Sequence, residues 1–166
     1  MSAQPSFLPS SYASLFPQEA GFEPMQIGQL ADVMHAEQAS YLWPWSEGNM
    51  ADSIKNGHFC EVLRTPQGQL LGYMIAMPGS QEVHLLNITV APEYLRQGWA
   101  RVMLDHLHDW ARSLQAQWVW LEVRISNTRA ISLYERYGFR RVGVRKAYYP
   151  LDGLTREDAI VMSNQP

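Results

Sequence analysis

A mixed α/β fold is predicted by three features of this 166-residue chain. Its first half reads as short strands joined by tight turns, an antiparallel meander. Its second half alternates strand, helix, strand, helix, strand. Between them, Asn87 to Ala100 (NITVAPEYLRQGWA) runs from a strand through a short turn directly into a helix. The length suits one domain with a real core and is too short for two comfortable ones. Residues 1–20, rich in Ser, Pro and Ala, are expected to be a poorly ordered extension, and residues 21–166 a single domain.

Each element has its own signal. Met25, Ile27, Leu30, Val33 and Met34 predict a first helix from Met25 to about Ala39, broken by Tyr41-Leu42-Trp43-Pro44-Trp45. Ser46 is a plausible N-cap for a second, short helix, although Asn49 is not the Glu or Gln of a capping box. His58 to Leu63 and Leu70 to Ala76 read as strands joined by the turn Thr65-Pro66-Gln67-Gly68, and Glu82 to Val90 as a further strand. From Trp99, Met103, Leu107, Trp110 and Leu114 recur at steps of four, three and four, an amphipathic helix. Val119, Leu121, Val123 and Ile125 alternate with Trp120, Glu122 and Arg124, a strand with two distinct faces. Asn127 can cap a helix through Tyr137, which Gly138 would stop. Phe139 to Tyr149 and Ala159 to Met162 close the chain as strands.

The turn Arg96-Gln97-Gly98-Trp99-Ala100 is the first pointer to chemistry. Pro92, with no N–H, ends regular pairing before it. A helix start carries free N–H groups and the positive end of the macrodipole, and Gly98 and Ala100 are small enough for a phosphate to approach the backbone. This reads as a pyrophosphate cradle. It lacks the lysine of G-x-x-x-x-G-K-[ST] and is not a G-x-G-x-x-G dinucleotide turn, so a P-loop and a Rossmann site are both disfavoured.

Composition narrows the class. The chain is 46% hydrophobic and 17% charged, as ordinary globular proteins are, and its net charge of −3 argues against a general nucleic-acid binder. No apolar run is long enough to span a bilayer, and no signal peptide is legible. Cys60 is the single cysteine, which excludes an intrachain disulfide and fits the reduced cytoplasm. The five histidines, His35, His58, His84, His106 and His108, show no metal spacing, and His106 and His108 point apart on a helix. No metal is expected.

NITVAPEYLRQGWA followed by WLEVRISNTRAISLYERYGF resembles the acetyl-CoA-binding core of the GNAT superfamily of N-acetyltransferases, over roughly Met25 to Met162. Trp43-Pro44-Trp45-Ser46, Trp120 to Arg124, Tyr148-Tyr149-Pro150 and Arg156 to Ala159 are similar to its RimI-type branch, which acetylates the N-terminal alanine of a small-subunit ribosomal protein. The resemblance implies a GNAT fold: a mixed, mostly antiparallel sheet of about seven strands, splayed at the cofactor gap and flanked by helices. Leu95 stands where the turn signature usually opens with Gln or Arg, Ala100 where Gly is common, and Trp99 is bulkier than usual.

The same resemblance implies roles for individual residues. Acetyl-CoA, as co-substrate, would be held by Ile88, Thr89 and Val90, by the turn Leu95, Arg96, Gln97, Gly98, Trp99 and Ala100, and by Asn127. The strand N–H groups would also polarise the thioester carbonyl. Glu122 would be the general base. An α-amine titrates near pKa ~8, so roughly a tenth is neutral at pH 7 and a carboxylate suffices. Tyr134, two helical turns beyond Asn127, would protonate the leaving thiolate. Trp43, Trp45, Tyr148 and Tyr149 would line a slot for an extended acceptor chain; core packing is the alternative for some. Cys60 is a weak candidate for an acyl-carrying nucleophile, so direct transfer in a ternary complex is expected. The expected acceptor is a ribosomal protein's N-terminus, with no nucleic-acid or membrane partner. Alternatives are a GNAT acting on a lysine side chain or small amine, and a non-catalytic acyl-CoA-binding module, against which the Glu122 and Tyr134 pair argues.

Overall fold

A computed structural model of the chain describes residues 6–7 and 19–166; the rest of the expected N-terminal extension lies outside the described residues. Among these the strands are β1 Ser6–Phe7, β2 Gly21–Pro24, β3 Phe59–Arg64, β4 Leu70–Pro78, β5 Glu82–Val90, β6 Trp118–Arg124, β7 Arg140–Pro150 and β8 Arg156–Asn164. The α-helices are α1 Leu30–Ser40, α2 Glu47–Lys55, α3 Trp99–Ser113 and α4 Thr128–Tyr137. The fold is the expected mixed one.

The chain forms two compact units. One holds the described residues up to Ala76 with Asn87–His106, the other Met77–Leu86 with Leu107–Pro166. Strand order through the first is β1-β2-β3-β4-β5, and β2 and β3 run antiparallel from Gly21↔Arg64 to Pro24↔Glu61. Strand β2 has no counterpart in the sequence reading. It is four residues long, with one buried apolar side chain, Phe22, and a terminal proline, so its strand state comes from pairing with β3 rather than from its own pattern.

The first helix also starts later than expected. Ile27–Gln29 forms a 3₁₀ turn before α1, and Ile27 is half exposed. Leu30, Val33, Met34 and Glu37 make the buried stripe at steps of three, one and three. Ser46 caps α2 as expected, its Oγ accepting from Asn49 N at 3.1 Å. In α3 the buried positions are Trp99, Val102, Met103, Leu104, Leu107, His108 and Ala111. Leu114 is exposed because α3 ends one residue before it, at Ser113.

In the second unit the order is β5-β6-β8-β7. Strands β5 and β6 are parallel over Glu82↔Trp118, Val83↔Val119, His84↔Trp120 and Leu85↔Leu121. Strand β8 pairs antiparallel with β6 from Val119↔Asn164 to Arg124↔Ala159, and with β7 on its other side. Register shifts at Arg141/Gly143 and Arg145/Tyr149, with a row of Arg and Lys side chains, mark β7 as an edge that resists further pairing.

Strand β3 carries a buried charge. Glu61 lies 4.0 Å from His106, whose ring stacks on Phe22 at 3.9 Å. Burial first, and the nearby Glu23 second, push the Glu61 carboxyl from 4.5 up to about 7. A carboxyl raised in the folded state makes stability fall as pH rises between those two values. We expect Glu61→Gln to remove that fall, so that urea titrations show the variant gaining on the wild type from pH 4.5 to pH 8.

Candidate active site

Strand β5 ends at Val90, a 3₁₀ turn spans Pro92–Tyr94, and α3 begins at Trp99. Arg96 and Gly98 both have positive φ, 63° and 87°. Backbone conformation therefore favours glycine at position 98. The helix ladder opens with Val102 N donating to Gly98 O, so the N–H groups from Gly98 to Arg101 precede it, at the positive end of a 15-residue helix. Trp99 is buried, and its indole N–H donates to Gln97 Oε1 at 3.1 Å. Its bulk thus anchors the turn in the core, and of Trp99 only the backbone remains for a ligand. Leu95 is substantially exposed.

The first unit also holds a carboxylate hub that sequence reasoning missed. Glu37 of α1 is 1% exposed. Its Oε2 accepts from Tyr73 Oη at 2.5 Å and Asn87 Nδ2 at 3.1 Å, and its Oε1 from Trp45 N at 3.0 Å. Asn87 Oδ1 accepts from Thr89 Oγ1 at 2.8 Å, which lies 2.7 Å from the Tyr41 hydroxyl. That hydroxyl also donates to Ile88 O at 3.3 Å. One network therefore ties Trp45 to the strand residues Ile88 and Thr89. Burial, then the Glu37 charge, raises the Tyr73 phenol far above its ordinary range, so it stays a donor. The available signal was an acid at the fourth position of an otherwise apolar helix stripe. Trp43, by contrast, is largely exposed.

The second unit gathers Glu122, Tyr148 and Tyr149 with three residues not anticipated, His84, Trp120 and Arg145. Glu122 is buried, with 4% of its side chain exposed. Its Oε2 lies 2.6 Å from His84 Nε2; its Oε1 accepts no hydrogen bond among the described residues and lies 3.2 Å from Arg145 Nε. The His84 imidazole stacks on Trp120 at 3.6 Å, and the Arg145 guanidinium sits over Trp120 at 5.7 Å and Tyr148 at 5.4 Å. Tyr149 donates its hydroxyl to Glu122 O at 3.0 Å. Burial first, then the Glu122 charge, pushes that phenol well up, so it keeps its proton. Arg124 lies over the Tyr149 ring at 4.6 Å, donates to Pro150 O at 2.7 Å and pairs with Glu157 at 2.9 Å, which holds the Tyr148–Pro150 segment against β6. Nothing in the sequence announced His84, because its place beside Trp120 follows from strand register.

Asn127 caps α4, its Oδ1 accepting from Ala130 N at 3.2 Å. Tyr134, on that helix, is buried with its ring edge-on to Phe139 at 5.7 Å. Cys60 is buried, and burial followed by Glu61 pushes its thiol up to about 11, which makes it a poor nucleophile. Among the described residues no group of three or more His, Cys, Asp or Glu is arranged to hold a metal, and no helix is long and apolar enough to cross a membrane.

Known proteins match this arrangement. Residues 30–139 fit the family described as Acetyltransferase (GNAT) family. The chain is 39% identical over 140 residues to the [Ribosomal protein bS18]-alanine N-acetyltransferase of Escherichia coli (strain K12), covering 84% of this chain and 93% of that one. Identity to the same-named protein of Haemophilus ducreyi is 34% over 131 residues, covering 79% and 90%. The crystal structure of the ribosomal-protein-S18-alanine N-acetyltransferase from Escherichia coli superposes with a TM-score of 0.79 at 36% identity, over 88% of this chain and 93% of that one.

Removing the Glu37 carboxylate strands three donors, two of them in buried hydrogen bonds. Leaving buried groups unpaired costs about 1–3 kcal/mol. Glu37→Ala should lose at least that in urea unfolding, and Glu37→Gln, which keeps one acceptor oxygen, should lose less.

Proposed function

This chain belongs to the GNAT acetyltransferase family, and on that premise we propose that it moves the acetyl group of acetyl-CoA to the N-terminal α-amine of a protein. The acceptor is the N-terminal alanine of a small-subunit ribosomal protein, and transfer is direct, within a ternary complex. One observation carries the choice of acceptor. The likeness to bS18-alanine N-acetyltransferases spans nearly their whole length, beyond the generic cofactor core, and takes in the segments that bear Trp45 and Glu122.

The turn from Leu95 to Ala100 is the seat of the pyrophosphate: positive φ at Gly98 and the positive end of the α3 dipole fit an anion. Ala91 N donates to Leu71 O of β4, so by the period of two the N–H groups of Ile88 and Val90 turn away from β4. Those are the donors for the pantetheine arm and the thioester oxygen. Acetyl-CoA supplies the activated acetyl group. Asn127 contributes at the start of α4.

Glu122 takes the proton of the acceptor ammonium at Oε1, the oxygen that accepts no hydrogen bond. Tyr134 returns a proton to the departing thiolate. Trp43, Trp45, Tyr148 and Tyr149 contact the acceptor chain, and the raised Tyr149 phenol remains a hydrogen-bond donor. A buried, high-pKa Cys60 supports transfer without an acyl-enzyme. The setting is the cytoplasm, where ribosomal proteins are made.

Two measurements test the reading. Any side chain at Gly98 meets strain of about 1–2 kcal/mol at positive φ. Gly98→Ala should therefore lose stability but keep most CoA affinity, whereas Gly98→Glu, which adds negative charge against a pyrophosphate, should lose CoA binding by calorimetry. Equal affinity in the two variants would refute the cradle. Separately, a peptide beginning Ala-Arg should gain one acetyl group by mass, and the same peptide with its α-amine blocked should gain none. Acetylation of lysines on the blocked peptide would replace this acceptor with a side-chain amine.

A further inference from the structure

Resting on the reading of Glu122 as base, we propose that His84 is its positioning residue: the imidazole orients the carboxylate and, by its own ionisation, switches the base off in acid.

The geometry begins with register. Parallel pairing sets His84 opposite Trp120, and Glu122 follows two residues later on the same face of β6. Stacking on Trp120, with planes 10° apart, fixes the imidazole plane. Its Nε2 then meets Glu122 Oε2 at 2.6 Å, a charge-assisted distance. A carboxylate only accepts, so the neutral imidazole carries its hydrogen on Nε2 and donates it. That bond occupies Oε2 and leaves Oε1, a buried oxygen with no hydrogen-bond partner among the described residues. The histidine thereby selects which oxygen faces the acceptor.

Charge supplies the second part. Arg145 of β7 lies 3.2 Å from Oε1, with Tyr148 beside it. Tyr149 of β7 binds the Glu122 carbonyl, and Arg124 of β6 is neutralised by Glu157 of β8. With Arg145 already beside the carboxylate, a proton added at His84 Nδ1 puts a second cation on it. Two cations stabilise the anion and weaken it as a proton acceptor. The proton balance is simple. The acceptor ammonium gives one proton to Glu122 Oε1, and its nitrogen lone pair forms the C–N bond as the C–S bond breaks. The thiolate takes the Tyr134 proton, the second proton shed by the nitrogen replaces that one, and His84 keeps its Nε2 hydrogen throughout. Protonation of Nδ1 by solvent interrupts the cycle.

The experiment compares His84→Ala, His84→Gln and Glu122→Gln in peptide acetylation across pH 5.5–9, with circular dichroism to confirm folding. His84→Ala should lower kcat about 10- to 100-fold with the acetyl-CoA KM unchanged, because orientation is lost while the cradle is intact. His84→Gln can still donate to Oε2 and should recover most of kcat at pH 8. Its kcat/KM divided by that of the wild type should rise toward the acid end of that range, because glutamine cannot take up a proton. That ratio cancels the titration of the acceptor amine, which both proteins share. A flat ratio, or wild-type kcat in His84→Ala, overturns the proposal while leaving Glu122 as base. Full activity in Glu122→Gln overturns the Glu122 reading, and this proposal with it.

Discussion

Parallel pairing of β5 with β6 is the constraint from which the other features follow. Antiparallel neighbours can be joined by a tight turn, but parallel ones need a crossover, and here α3 supplies it. The crossover helix must begin at the carboxyl end of β5, so the positive end of its dipole stands at the end of that strand, where ligands of such sheets gather. Arg96 and Gly98 absorb the change of direction with positive φ, and buried Trp99 anchors the helix start. The pairing is registered over only four positions, and the same register sets His84 against Trp120.

Two carboxylates are buried for different ends. Glu37 is satisfied by Tyr73, Asn87 and Trp45, and no cation is among these partners. Burying a charge in this way is costly and is tolerated because hydrogen bonds replace water around it. What it achieves is geometric: the loop at Trp45 and the strand at Asn87–Thr89 are referred to one point. Glu122 is instead left incomplete. One oxygen is held by His84, the other is flanked by Arg145 without a hydrogen bond. A satisfied carboxylate organises; an unsatisfied one is available for proton transfer.

The aromatic residues divide along the same line. Trp99 and Tyr134 are buried, whereas Trp43 and Tyr148 keep substantial exposure. Arg124 and Arg145 lie over Tyr149, Tyr148 and Trp120, holding flat surfaces in place where an apolar core does not reach. An acceptor chain end would thus meet rings braced by guanidinium groups.

Local sequence determined much of this protein. Alternation placed β5 and β6, Ser46 and Asn127 capped their helices, Gly138 ended α4, and the turn around Gly98 opened α3, because each depends on near neighbours in the chain. The strand position of Glu122 and the helix position of Tyr134 were legible for the same reason. Strand β2 was not, since its four residues become a strand only by pairing with β3 some forty residues away. Trp99 could not be explained until its burial was seen. Tertiary structure alone decided that Glu37 collects donors from Tyr73 and Asn87, and that His84 meets Glu122 across 38 positions of sequence. Such contacts depend on register and packing, which are set by how whole strands align and leave no mark on the residues they bring together.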